Sequence, residues 1–184
     1  MTDRQRLKAI ILAKSFRKGK FTLTSGRESD FYFDGKQTTL SAEGAYLCGK
    51  LIFELIRRHP QKIGAVGGMT LGADPLVTAT SIVSFLENEP IPAFIVRKEP
   101  KGHGTNQYIE GISNMPAGCP VTLLEDVVTT GGTLLKVIDR VQAQGFTVAQ
   151  IVTVVDRQEG GAQMLADKGF RLEALFSRDE LMAG

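Results

Sequence analysis

The period of apolar and polar positions changes several times along the chain, and each change predicts an element. Over residues 3 to 16, Leu7, Ile10, Ile11 and Leu12 recur at helical spacing among Arg4, Arg6, Lys8 and Lys14. This is the pattern of an amphipathic helix lying on a larger body, and Gly19 is placed to break it. Phe21 to Thr24 and Phe31-Tyr32-Phe33 read as two short strands joined by a turn over 25 to 30. Aromatics in a strand are core by default, but alternation points Tyr32 away from Phe31 and Phe33, leaving one side to border a ligand. Ser41 stands as the N-cap of a helix that runs to about Arg58 and ends before Pro60.

From Lys62 onward short apolar runs alternate with helical ones. Strands are predicted at 63 to 67, 91 to 96, 121 to 127, 146 to 155 and 170 to 176, with helices at 73 to 86, 132 to 144 and 160 to 168. Strands alternating with helices of this length imply a central, mostly parallel sheet flanked by helices on both faces. The fold class is therefore α/β, a single domain over 1 to 184 with an N-terminal appendage. The exception is residues 97 to 120, a long polar, glycine-rich interval between two strands. Loops of that length inside an α/β body are commonly lids.

Composition narrows the partners. The 184 residues carry 22 basic and 20 acidic side chains, net +2, which gives no long-range pull toward nucleic acid or membrane. No apolar run approaches a membrane span, and the four-residue run from Ile10 to Ala13 is no secretory core. Cys48 and Cys119 sit in no metal-ligand spacing and read as reduced thiols, so the expected setting is soluble and cytoplasmic.

The most informative stretch runs from Val121 through Glu125-Asp126-Val127-Val128-Thr129-Thr130-Gly131-Gly132-Thr133 into the helical Leu134-Leu135-Lys136-Val137-Ile138. A strand delivers two carboxylates into a Gly/Thr loop at a helix start, where backbone amides and the helix N-terminus favour a phosphate. The carboxylates would repel that phosphate, but they suit the hydroxyls of a sugar attached to it. The spacing is neither a dinucleotide fingerprint nor a P-loop. Within 97 to 120, four potential cations, Arg97, Lys98, Lys101 and His103, fall inside seven residues, with glycines at 102 and 104. Loops after strand C-termini share one edge of a parallel sheet, so this segment and the phosphate loop are expected to meet.

The 124 to 133 stretch resembles the phosphoribosyl-diphosphate (PRPP) motif of type I phosphoribosyltransferases. Residues 97 to 104 resemble the flexible catalytic loop of the orotate-specific branch of that family. Three further segments agree: 21 to 33 with the family's N-terminal hood, 67 to 75 with its pyrophosphate-side loop, and Val155-Asp156-Arg157 with the strand end that meets orotate. The resemblance covers about residues 19 to 160.

It implies transfer of a phosphoribosyl group from PRPP to orotate in pyrimidine synthesis, with residues 1 to 40 contributing to the hood and 97 to 111 forming the lid. Glu125 and Asp126 would accept from the ribose hydroxyls. Val127, Val128, Thr129, Thr130, Gly131, Gly132 and Thr133 would cradle the 5′-phosphate. Thr129 and Arg157 would contact orotate, and Tyr32-Phe33 would border the base. Lys98 would serve its own subunit's site, while Arg97, Lys101 and His103 would act across a homodimer interface, Lys101 and His103 as the catalytic pair. Mg²⁺ is the implied cofactor, held mainly through PRPP. Some relatives carry basic residues at the positions of Thr24 and near Leu71, and this chain does not. His59 reads as a surface residue. Rival readings are a purine-specific transferase sharing the PRPP motif and a non-catalytic PRPP sensor or RNA-binding regulator. The length leaves no room for a decarboxylase domain.

Overall fold

The computed structural model describes residues 1–22, 28–100 and 107–183. The chain opens with α1 (Asp3–Lys14), whose Thr2 and Gln5 form a reciprocal capping box. Two antiparallel strands follow, β1 (Phe16–Thr22) and β2 (Glu28–Phe33), forming a small sheet of their own. A short α2 (Lys36–Thr39) leads to the long α3 (Ala42–Arg58). Then come β3 (Ala65–Met69), α4 (Asp74–Leu86), β4 (Ala93–Val96), β5 (Ile109–Glu110), β6 (Pro120–Val128), α5 (Gly132–Ala143), β7 (Thr147–Asp156), α6 (Gly161–Ala166), β8 (Leu172–Ser177) and α7 (Arg178–Met182).

The main sheet has the order β5-β4-β3-β6-β7-β8 and is parallel except for the β4–β5 edge pair. Its strands are apolar on both faces because helices cover both. One core joins Val66, Leu124, Val152 and Val154 to α1, α3 and α4 through Leu7, Ile11, Leu47, Ile52 and Leu76. The other joins Ala65, Val121, Leu123 and Ile151 to Leu134, Val137, Ile138 and Val141 of α5. Alternate residues of β6 thus serve opposite cores, which is the period-2 geometry of a strand.

Three local expectations are corrected, and one element was not foreseen. The first helix ends at Lys14 with Ser15 as C-cap, and Gly19 lies inside β1 at φ +151°. Its breaking role passes to Phe16, which leaves the helix to stack on Phe31 at 5.5 Å. Ser41 is the N-cap residue of α3, but its hydroxyl donates to the Thr38 carbonyl at 2.8 Å rather than capping a helix amide. Residues 97 to 120 are not wholly irregular, since β5 and a 3₁₀ turn at Ile112–Asn114 fall within them. Finally, α2 had no sequence signal, being a single turn. Chain ends are tied together by Arg4, which bonds Glu180 at 2.6 and 2.8 Å and the Leu175 carbonyl at 2.8 Å.

Candidate active site

The site begins where β6 ends. Glu125 and Asp126 are both buried near the end of the strand, and their carboxyls converge beside the Gly72 loop. The Asp126 amide donates to Glu125 Oε1 at 3.2 Å, and the Val127 amide to Asp126 Oδ1 at 3.0 Å. Glycine backbone crowds the pair from two sides. A Cβ on Gly72 would lie 2.5 Å from Asp126 Oδ1 and 2.9 Å from Glu125 Oε1, and one on Gly35 2.8 Å from Asp126 Oδ2. Burial first, then the hydrogen bond and charge of Asp126, hold the Glu125 carboxyl well above the usual carboxylate range. The positive charge of Lys98 pulls the other way. The raised pKa lets Glu125 keep its proton inside the buried pair, and a partner with hydroxyls or positive charge would complete the hydrogen bonding of both carboxyls.

Beyond Val128 the chain turns through Thr129 and Thr130 into Gly131, the N-cap of α5, which adopts φ +81° and offers no side-chain cap. The first amides of α5 therefore lack a side-chain partner and face a recess of ≈ 260 Å³ lined by Glu125 and residues 127 to 134. The loop is held from behind by α6. The Gly161 amide donates to the Thr129 carbonyl at 3.0 Å, and a Cβ on Gly161 would sit 2.8 Å from that carbonyl oxygen. Nothing lies within 4 Å of a Cβ on Gly132, so the space in front of the helix is open.

The end of β7 adjoins this loop. Val128 pairs with Asp156, and the Arg157 amide donates to the Val128 carbonyl at 2.9 Å. Arg157 is buried, with its guanidinium carbon 4.3 Å from the centroid of the Phe31 ring and Nε bonded to Glu159 at 2.8 Å. Its Nη2 is buried with no hydrogen-bond partner among the described residues. A carboxylate is the chemical class that would complete the hydrogen bonding of a guanidinium held in this way. The aromatic beside it is Phe31, not Tyr32 or Phe33. Alternation is as expected, but it turns Tyr32 outward onto Phe21 at 5.7 Å and buries Phe33 in the core.

The segment after β4, expected to be a lid, begins at the same edge. The Arg97 amide donates to the Tyr108 carbonyl at 2.7 Å, so the segment leaves and returns as a β-pair, and Arg97 is ion-paired with Glu110 at 3.2 Å. Lys98 is exposed. Lys101 and His103 lie outside the described residues, as does Thr24. Leu71 is exposed at the end of the loop after β3. His59, at the far end of α3, bonds the Gln61 carbonyl at 3.1 Å and takes no part in the site. Sequence reasoning missed two cations. Lys36, ion-paired to Asp34 at 2.8 Å, lies close enough to Asp126 to feel its charge. Arg140 reaches the base of the lid. Neither stands in a motif.

The strand-loop-helix site on a mostly parallel sheet defines the class. Residues 37–174 match the family model for the phosphoribosyl transferase domain. The chain is 47% identical over 176 residues to the orotate phosphoribosyltransferase of a Nostoc strain, covering 96% of this chain and 84% of the relative. It is 48% identical over 180 residues to that of Thermosynechococcus vestitus, covering 98% and 93%. The Mycobacterium tuberculosis orotate phosphoribosyltransferase, solved in complex with PRPP, superposes with TM-score 0.80 at 34% identity over 98% of this chain and 99% of that one. This chain belongs to the phosphoribosyltransferases and, within them, to the orotate phosphoribosyltransferase family.

Proposed function

We propose that the chain transfers the 5-phosphoribosyl group of PRPP to N1 of orotate, giving orotidine 5′-monophosphate and diphosphate on the route to pyrimidine nucleotides. The observation that carries this is the meeting, at the adjoining ends of β6 and β7, of a carboxyl pair, an uncapped helix start and a buried guanidinium with a free nitrogen. These three match, respectively, a ribose, its 5′-phosphate and a carboxylated base.

The roles follow from charge. Glu125 and Asp126 take the ribose hydroxyls, and the amides and hydroxyls of 128 to 133 hold the 5′-phosphate. Arg157 receives the orotate carboxylate, with Thr129 alongside. The bond from the ribose carbon to diphosphate breaks as the bond to N1 forms, leaving positive charge on the sugar and extra negative charge on the diphosphate. Lys98, Lys101 and His103, with Arg97, supply fixed cations there, and preorganised charge is usually the largest catalytic term. Covering the site excludes water that would otherwise hydrolyse PRPP.

Among the described residues no cluster of three acidic, His or Cys side chains could cage a metal. Two adjacent carboxyls beside a diphosphate site fit a Mg²⁺ bound mostly through PRPP oxygens, where it would neutralise leaving-group charge.

The catalytic unit is a homodimer in this reading. Leu40, Leu71, Ile82 and Phe85 are exposed on and beside α4, and Leu40, Leu71 and Ile82 line an apolar groove of ≈ 560 Å³ near the site. A face of that kind suits a second copy of the chain, which would bring its Arg97, Lys101 and His103 to the neighbouring diphosphate. Among the described residues no helix is long and apolar enough to cross a membrane, and the reaction is assigned to the cytoplasm.

The test is the loss of orotate absorbance with PRPP and Mg²⁺, run beside adenine, hypoxanthine and uracil. Orotate consumed alone supports the reading. Turnover of a purine would reassign the base, and PRPP binding without turnover would favour a regulator.

A further inference from the structure

Arg140 belongs to none of the recognised motifs, yet its side chain joins more of the site's framework than any of them. It projects from the last turn of α5, the helix whose first turn forms the phosphate recess. Helical side chains lean toward the N-terminus, so Arg140 points back along α5 to the ligand edge of the sheet. There Nη1 donates to the Arg97 carbonyl at 2.6 Å and Nη2 to the Lys98 carbonyl at 3.2 Å. The guanidinium carbon lies 4.0 Å from the centroid of the Tyr108 ring, and Nη1 is 3.8 Å from Sδ of Met69, the last residue of β3. One planar group thus grips the outgoing residues 97 and 98 and the returning residue 108, with the end of the strand leading to the Gly72 loop beneath.

From this geometry we infer that Arg140 is a positioning residue that sets Lys98 over the site. The inference rests on the reading of this site as a PRPP site, and adds to it the part that places the cation. The last ladder bond is the one from the Arg97 amide to the Tyr108 carbonyl, so Lys98 lies just beyond it, and an exposed lysine on an untethered backbone has four side-chain torsions to order. Two charge-assisted bonds to consecutive carbonyls fix the backbone from which Lys98 departs. β4 and β6 flank β3 in parallel, with Gly67 level with both Phe94 and Leu123. Val96 is therefore level with Glu125, and Lys98 departs two residues beyond it at the same sheet edge, where its charge acts on the Glu125 carboxyl. Lysine cannot replace arginine here, because a single ammonium cannot reach both carbonyls while stacking on Tyr108.

The role of Arg140 is separable from a structural one. Arg140 is half-exposed and its bonds go to segment ends rather than to the core, so Arg140→Ala is expected to fold with the parent's melting temperature. It should lower kcat/KM for PRPP by about 10- to 100-fold, the scale of a misplaced catalytic group, while the KM for orotate stays within about twofold. The deciding experiment is the cycle formed with Lys98→Ala, with Arg140→Lys as a third variant. If Arg140 acts through Lys98, adding Arg140→Ala to Lys98→Ala costs little more than Lys98→Ala alone. Arg140→Lys should recover at most a part of the loss. Effects that multiply across the pair, or full recovery by lysine, overturn the inference while leaving the transferase reading intact. Absence of orotate transfer by the parent protein would instead overturn that reading.

Discussion

Arg157 lies against Phe31, guanidinium over ring at 4.3 Å, and the contact leaves its Nη2 buried and unpaired. Phe31 is itself braced from the other end of the chain: the Arg178 guanidinium is 5.3 Å from its centroid, and that arginine bonds Asp30 at 2.9 and 2.7 Å. The setting of Arg157 is thus assembled from the N-terminal sheet, the end of β7 and the start of α7, and the proposed reading makes it the receptor for the base. Arg157→Ala should raise the KM for orotate by about 10- to 100-fold, the worth of a charge-assisted bond, with a much smaller effect on PRPP. Arg157→Lys should not restore it, because lysine lacks the planar fork. Steady-state kinetics with each substrate varied separately checks this, and an equal loss for both substrates would count against it.

Glu125 makes the free protein pH-sensitive. Its folded-state pKa is raised above the unfolded value, chiefly by burial and then by Asp126. Its stabilising contribution is therefore complete below the ordinary carboxylate range and is lost progressively as pH rises toward the raised value. Glu125→Gln should remove that slope, so its melting temperature gains on the parent's between about pH 5 and pH 8. The same variant should lose turnover, since an amide is a weaker acceptor for ribose hydroxyls. Thermal melts of both proteins across that range, without ligand, decide the point; parallel curves would remove Glu125 as the source.

Gly132 and Gly161 separate space for a ligand from space for the fold. Gly132→Ala adds a methyl where no atom lies within 4 Å, so stability should hold while PRPP affinity falls. Gly161→Ala pushes a methyl against Val128 Cγ1 at 2.5 Å and the Thr129 carbonyl, displacing the loop itself. It should lower both the melting temperature and PRPP binding. Calorimetry with PRPP alone, beside thermal melts, reads the two effects apart.

The apolar face of α4 carries a prediction about assembly. Phe85→Glu should give a monomer by light scattering, because it puts a charge on the exposed apolar face proposed to meet the second copy. Activity should fall with it, since Lys101 and His103 would lose the neighbouring site they serve. Mixing Lys101→Ala with Glu125→Ala chains should restore part of the activity through one intact site per heterodimer. A fully active monomer would contradict catalysis across the interface.

What the sequence disclosed, and what it hid, follows from the range of the interactions. The β6 strand, its carboxyl pair and the loop into α5 are consecutive, so period and residue chemistry revealed them together. The parallel sheet was legible for the same reason, as apolar runs separated by helices. Arg140 was not, because on a helix with Lys136 and Asp139 a lone arginine reads as solvent-facing charge. Its partners are backbone carbonyls more than forty residues away, which carry no side-chain signature. Ser41 misled in the opposite way: the residue type and position suit a cap, but a nearer carbonyl at Thr38 took its hydroxyl.

The most direct measurement of the central claim is a mass balance by phosphorus NMR on a reaction of the enzyme with PRPP, orotate and Mg²⁺. The account predicts one orotidine 5′-monophosphate and one diphosphate for every orotate lost, and none of either product when uracil replaces orotate. Diphosphate released without nucleotide, or a nucleotide formed from uracil or a purine, would contradict it.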